Sequence, residues 1–598
     1  MENFTCDYVY IAVLILKLNF CLGCLSHSRK TQAGFIFSRC ICLAYIFHMQ
    51  KLFLINCTPS LVKAFVEMGF EVDQVYVQEG TLDLPAMLNA RQFDPDLILQ
   101  QESLGRRLFL NGLHKLNCVK IFWSIDTHMN FFWHRYYADL FDCLLTTQKK
   151  YIPELRKLCE TRVEWLPWLG NLSGVGIAGG GIIPHSRREH DLSFVGRVSS
   201  HRRSRLWFVD FLKSHYNLNF EDNLNYQQMM ELYRNTRIAP NEALFGEVNF
   251  RLFEAASCGC AVVTPDVGGG LGELFEIGKE IAVYNDVLEL KDIIDRFEKD
   301  PSLSGSFGMA AYARVLKDHR PDSRAAVVRD IAQKTTVRSI PEERAELLLC
   351  MSEFLLSESG GYKVDWDHLL KRFLGLGRSE MRDVALLRIF ARSGMSDLFM
   401  GIARPYLDKS LSSVDCYFNM SASLGALKLG LWEVAKHFWY SVHASSRPDT
   451  VVRPENEVHI LKLWGDVSFK KGLRIRSGVA FNEVKDIPSC ASDCFFAALH
   501  KDPSDKEIYR RLDSIFNGVK GGEPTRLGFL SHLSLHYPED WRISAEVAVT
   551  SLKVFRLQEG LRELENAKEL AYMAGQTRFF KRKIELEIPQ FYKLVNWS

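Results

Sequence analysis

A surplus of charge of either sign is missing from this sequence: 74 Lys and Arg against 72 Asp and Glu leave a net charge of +2 over 598 residues. General nucleic-acid binding needs a basic surface that neutralises phosphates, so that class is excluded and any basic site must be local. Zinc-ligand spacing is missing too. The 15 cysteines include no repeated pair with histidine partners. Cys6, Cys21, Cys24, Cys40 and Cys42 crowd the amino terminus, and Cys258 and Cys260 sit in an apolar run where small buried residues are expected. Reduced thiols and a cytoplasmic location are the expectation. Nor is there the apolar depletion that marks disorder: 47% of residues are hydrophobic and 12% aromatic. At this length about three or four domains are expected.

A clean run of roughly 20 apolar residues, the length a membrane span needs, is also lacking. Residues 1–48 come nearest. YVYIAVLILKLNFCLGCL is interrupted by Lys17 and Asn19, and FIFSRCICLAYIF by Arg39. The extension reads as an anchor giving membrane association, as a signal peptide, or as a stretch preceding a true start at Met49. The last is preferred, because a strand that looks like an ordinary domain start follows Met49.

What the sequence does have is alternation. KLFLIN, VDQVYV, DLILQ, VKIFWSI, CLLTT and VEWLP are short apolar runs separated by amphipathic stretches such as SLVKAFVEMG. A second set, LSFVGR, RIAPN, CAVVTP and EIAVY, follows to about Arg320. Such alternation predicts parallel sheets with helices on both faces. The fold class is therefore α/β: two Rossmann-like domains at 49–172 and 185–334 facing a cleft. Between them SGVGIAGGGIIP, at 173–184, reads as a glycine-rich hinge about which the cleft would close. Gly174, Gly176 and Gly179 formally match a dinucleotide fingerprint, but no strand precedes them and no helix opens on the last glycine.

From 335 to 598 the pattern is helical, with apolar positions three and four apart in RAELLLCMSEFLL, VALLRIFA and WEVAKHFWYSV. Gly430, Ala435, Trp439 and Pro448, and again Ala491, Phe495, Ala498 and Pro503, put small and aromatic residues at nearly equal offsets. That resembles tetratricopeptide helix pairs, with a generic helical bundle as the alternative.

Chemistry is expected at the carboxyl ends of the strands. Cys260 to Pro265 opens onto Asp266 and Gly268-Gly269-Gly270, where bare amides suit a phosphate. Glu254, on the preceding helix, could hold a ribose diol or be a solvated helix acid, and Arg251, three residues earlier, could pair with it or reach a phosphate. Arg197 ends the strand LSFVGR and heads a basic cluster with His201, Arg202, Arg203 and Arg205, read as a phosphate clamp or a solvated helix start. Asp126 and His128 follow VKIFWSI directly and could take a proton from an attacking hydroxyl, with Glu102 in reserve. Asp94 and Asp96 flank Pro95 and read as a turn; no metal site is assigned.

FVGR at 194–197, EVNFRLFEAASCG at 247–259 and GELFEIGKEIAVYND at 272–286 resemble the glycosyltransferases related to the spore-maturation protein CgeB, in the group-1 family of the GT-B fold. FWSIDTHMNFFWHRYYADLFDCLLTT and LPW extend the likeness more weakly upstream, over about 51–320. The resemblance implies sugar transfer from a nucleotide diphosphate donor, without cofactor or metal. Glu254 would hold the ribose, Gly268 to Gly270 with Glu273 would flank the diphosphate and sugar, and Arg197 would contact the diphosphate. The family carries a further glutamate eight positions before the ribose-binding one. Here that position is Gly246, with Glu247 beside it, which shifts sugar recognition toward Asn249 and Arg251 and leaves the stereochemistry open. The expected partners are a nucleotide sugar, a glycan or protein acceptor, and a protein on the helical region. A catalytically silent scaffold is the alternative.

Overall fold

The computed structural model describes residues 50–105, 107–170, 182–199, 202–444, 447 and 451–590. The extension 1–48, the fingerprint glycines 174, 176 and 179, most of the expected hinge, His201 and Pro448 lie outside the described residues.

The first sheet is built from β1 (Lys51–Ile55), β2 (Glu71–Val75), β4 (Leu97–Gln101), β6 (Val119–Ser124), β7 (Cys143–Thr146) and β8 (Arg162–Trp165), in the order β2-β1-β4-β6-β7-β8. All its pairings are parallel. Its inner strands are apolar on both faces, as LFLI and LIL at 52–55 and 97–99 show, because helices cover both sides. Two short strands not expected from the sequence, β3 (Gly80–Asp83) and β5 (Leu108–Asn111), pair with each other in a separate ribbon. The second sheet comprises β9 (His190–Val195), β10 (Leu218–Glu221), β11 (Thr236–Pro240), β12 (Ala261–Pro265) and β13 (Ala282–Tyr284), in the order β10-β9-β11-β12-β13, again parallel. Each sheet reverses its winding once, at β1/β4 and at β9/β11, and ligands of such sheets bind outside the carboxyl ends near that point.

The two carboxyl edges face each other. Gln148, just past β7, donates to the Val248 carbonyl and accepts from its N–H, both at 3.1 Å. Trp168 stacks on Phe250 at 4.2 Å between ring centroids. Helix Pro321–Gln333, assigned from sequence to the second domain, packs instead on the first, its Ala325, Val328 and Ala332 sharing a core with Leu61 and Phe65.

The carboxy-terminal half is helical from Glu342 to Glu587. Its first helix, Glu342–Glu358, is buried continuously from Leu347 to Glu358 rather than along one stripe. A helix apolar all round belongs in an interior: here it packs on helix Thr127–Tyr137 of the first domain. Its interior acids are paired, Glu353 with Arg372 at 2.5 Å and Glu358 with Arg388 at 2.8 Å. The last helices pack on the second domain, where Phe208 meets Phe555 edge-on at 4.8 Å. The helical half thus shares one core with the first α/β domain and another with the second. Among the described residues no helix is long and apolar enough to cross a membrane.

Candidate functional site

On the first-domain side, the strand ends converge on Glu102. Its carboxylate accepts from the N–H groups of Ile125 and Asp126 at 2.7 and 2.8 Å and from Asn130 Nδ2 at 2.6 Å. His134 Nε2 lies 3.3 Å away and Arg107 Nη1 3.5 Å. Burial by itself would raise this carboxyl, but His134, Arg107 and the Asp126 amide hold it well below the usual carboxylate range. Glu102, the reserve proton acceptor of the sequence reading, is therefore saturated; it fixes the 124–126 turn and the start of the 127–137 helix. Ser124 Oγ lies 2.9 Å from His134 Nδ1, completing an acid–histidine–serine chain. Ser124 is fully buried and also bonded to Thr127, so no substrate reaches it.

Asp126 is different. It occupies the N-cap position of the 127–137 helix, makes no capping bond, and its carboxylate has no hydrogen-bond partner among the described residues. Burial, then the neighbouring Glu102 charge, push it up to about 7, while Arg107 and Arg202 oppose. A carboxylate poised there can accept a proton near neutral pH. His128, two residues on, is buried with Nδ1 unpartnered and its ring 5.9 Å from that of Phe245 across the cleft. Burial lowers its pKa, so it is neutral.

On the second-domain side Glu254 is half-buried on helix Phe250–Ser257, with no hydrogen-bond partner among the described residues. Burial raises its carboxyl to about 7, against the pull of Arg251. Arg197 is exposed just past β9. The other arginines of its cluster divide: Arg203 is exposed, and Arg205 is buried against Glu242 at 2.9 Å. Arg251 does not form the expected pair with Glu254. Its Nε donates to the Val195 carbonyl at 2.9 Å, its Nη1 to Asn241 Oδ1 at 2.7 Å, and the guanidinium lies 4.4 Å over the Phe194 ring. Asn249 likewise donates to Asn241 Oδ1 and the Glu242 carbonyl, at 3.1 and 2.9 Å. Both side chains brace the 241–242 turn.

Gly268, Gly269 and Gly270 all have positive φ, at 59°, 51° and 95°, which only glycine adopts in succession without strain. The loop packs beneath Lys149 and Lys150 of the first domain: Cβ atoms added at Gly269 and Gly270 would lie 3.4 Å from Lys150 Cβ and 3.0 Å from Lys149 Cδ. Lys149 in turn pairs with the half-exposed Glu273 at 2.5 Å, and Lys150 Nζ donates to the Gly246 carbonyl at 2.6 Å. Asp96 needs no metal to explain it, because its Oδ2 accepts from the N–H groups of Gln50 and Lys51 at 2.8 and 2.9 Å and anchors the start of β1.

Residues 186–330 match a family model described as glycosyl transferase-like. The match covers β9 to β13 together with Arg197, Glu254 and the glycine loop. No curated protein matches the chain. Among solved structures, sucrose-phosphate synthase from Thermosynechococcus elongatus is 12% identical over 48% of this chain and 98% of its own, with a TM-score of 0.34. A glycosyltransferase from Rickettsia africae is 10% identical over 48% and 99%, at 0.35. The Anabaena protein HepE, solved with UDP-glucose, is 11% identical over 48% and 99%, at 0.33.

Within this glycosyltransferase-like domain the structure gives a steric reason for Gly246. Its φ is +65°, and an added Cβ would come 2.6 Å from the Cβ of Lys520, in a loop of the helical half. The backbone and the neighbour both exclude a glutamate there. Glu247 is buried and accepts from the N–H groups of Leu244 and Phe245, at 3.2 and 2.8 Å, so it shapes the turn. The sequence reading missed Lys149, Lys150 and Lys520. The first two stand just past β7 and were open to the same strand-end argument that found Asp126; Lys520 carries no local signal.

Proposed function

We propose that the chain is a metal- and cofactor-independent glycosyltransferase of CgeB-like type, moving a sugar from a nucleotide diphosphate donor to a hydroxyl acceptor. The observation that carries this reading is the pair of unpartnered groups, Glu254 and Arg197, on the carboxyl side of a parallel sheet whose sequence is glycosyltransferase-like. Glu254 accepts the ribose hydroxyls. Arg197, with the 268–270 amides and Lys149 and Lys150 close by, takes the charge of the diphosphate.

In the reaction the acceptor oxygen forms a bond to the anomeric carbon while the bond from that carbon to the phosphate oxygen breaks. The diphosphate leaves with the electron pair, and Asp126 takes the acceptor's proton. His128, neutral and two residues on, positions the acceptor hydroxyl. The acceptor is a glycan or a protein, and the helical half, arranged as tetratricopeptide-like pairs, carries the partner surface.

The steric block at Gly246 favours one rival, a catalytically silent scaffold. The test is turnover and calorimetric binding of a panel of UDP-, GDP- and ADP-sugars by the purified full chain. Binding that is lost in Glu254→Ala and Arg197→Ala supports the reading. Absence of nucleotide binding by the wild type removes it, and binding without transfer or hydrolysis selects the scaffold.

A further inference from the structure

The helix Thr127–Tyr137 has two stripes with the same spacing. Asn130, Trp133, His134 and Tyr137 are buried in the first domain. His128, Phe131, Phe132 and Arg135, also at i, i+3, i+4 and i+7, face a cavity of about 330 Å³ closed on its far side by the helical half. That far wall is formed by Leu355, Tyr417, the 472–477 loop and Val519. The loop sits tight against the helix start, since a Cβ added at Gly478 would lie 3.0 Å from Met129 Cβ.

Three features specify what fits. The cavity is flanked by the rings of Phe131, Phe132, Tyr151 and Tyr417. Its cations, Arg135, Arg474 and Arg476, outnumber its one acid, Glu154. Finally, among the described residues His128 Nδ1, Arg135 Nε and Arg476 Nε are buried nitrogens without a hydrogen-bond partner; Arg476, its side chain only 10% exposed, meets Glu358 at 3.7 Å through Nη1 and leaves Nε unmade. Buried donors left unmade cost free energy that a ligand oxygen recovers. Arg476 lies over the Phe132 ring at 5.4 Å, so ring and charge are presented together.

We infer that this cavity is the acceptor subsite and that it takes the part of the acceptor that joins an aromatic ring to an anionic group, with the reacting hydroxyl directed past His128 toward Asp126. The inference rests on the transferase reading only for the word acceptor; the binding site stands on its own geometry. Val519 lines this cavity, whereas Lys520, the next residue, abuts Gly246, so the same loop of the helical half borders acceptor subsite and donor domain.

The test uses the full chain and two probes of similar shape, 4-hydroxyphenylacetate and its neutral counterpart 2-(4-hydroxyphenyl)ethanol, followed by ligand-observed NMR and calorimetry. The anionic probe is expected to bind at least about tenfold more tightly, as one charge-assisted hydrogen bond provides. Arg135→Gln should remove that preference. Val519→Trp, and independently Ser477→Trp at the rim, should block both probes while leaving nucleotide affinity unchanged, which also shows that the variants are folded. Equal binding of the two probes, binding of neither, or binding indifferent to both tryptophans overturns the inference. Each of those results leaves the donor-site reading intact, because nucleotide binding is measured separately.

Discussion

The two carboxyl edges that face each other across the cleft are built on opposite principles. On the first domain most of the polar groups are spent within the protein: Glu102 alone gathers two backbone amides, Asn130, Arg107 and His134, while the Asp126 carboxylate and His128 Nδ1 are left over among the described residues. On the second domain the braces, Arg251, Asn249 and Arg205, are spent on the 241–242 turn and Glu242, while Glu254 and Arg197 remain unpaired. A saturated network fixes geometry, and an unsaturated edge awaits a ligand. The proposed division of labour, the chemical step at the first edge and donor binding at the second, rests on this contrast.

The comparison breaks most sharply at Asp126. Asp126→Asn should lower single-turnover transfer by about 10²-fold or more with nucleotide affinity unchanged, the effect expected of a lost general base. Equal loss in binding and rate would move it to the donor site.

Glu102→Gln should act on the fold instead, lowering stability by about 3 kcal/mol in denaturant unfolding, because His134 and Arg107 lose a buried counter-charge. Next come Glu254→Gln and Arg197→Ala, each expected to weaken nucleotide-sugar affinity by about tenfold with the thermal midpoint preserved; only the Arg197 effect should shrink with added salt. Gly246→Ala should cost about 1–2 kcal/mol through its left-handed φ and the Lys520 contact. Calorimetric unfolding would read it.

A separate effect is in pH. Glu254 and Asp126 are acids whose folded pKa is raised to about 7, so the folded state holds protons that the unfolded chain releases from about pH 4 upward. Their stability contribution is therefore complete below about pH 4 and is lost as pH rises through about 7. Glu254→Gln and Asp126→Asn should each flatten that fall in a thermal-midpoint profile. For Asp126 the same titration predicts transfer rising through about pH 7.

Much of the fold was legible because apolar strands between amphipathic helices leave a period in the sequence. Each of the ten strands expected from those runs is present, whereas β3, β5 and β10 are only four residues long, and β3 and β10 are half polar, as GTLD and LNFE show, and left no such trace. Strand-end reasoning reached Asp126, His128 and Arg197, whereas Glu254 and Arg251 stood out on a helix and Asn249 only through the family likeness.

The sequence by itself determined two parallel α/β units followed by helices, and the residue types stationed at the strand ends, because hydrophobic periodicity and strand termination are local properties. Only the tertiary structure decided which acids are spent and which are free, why position 246 admits no side chain, and that the helical half encloses a cavity beside His128. Each of these depends on a partner brought in from another domain, Lys520 against Gly246 or the 472–477 loop against the 127–137 helix, and a free carboxylate is defined by neighbours that no local pattern records.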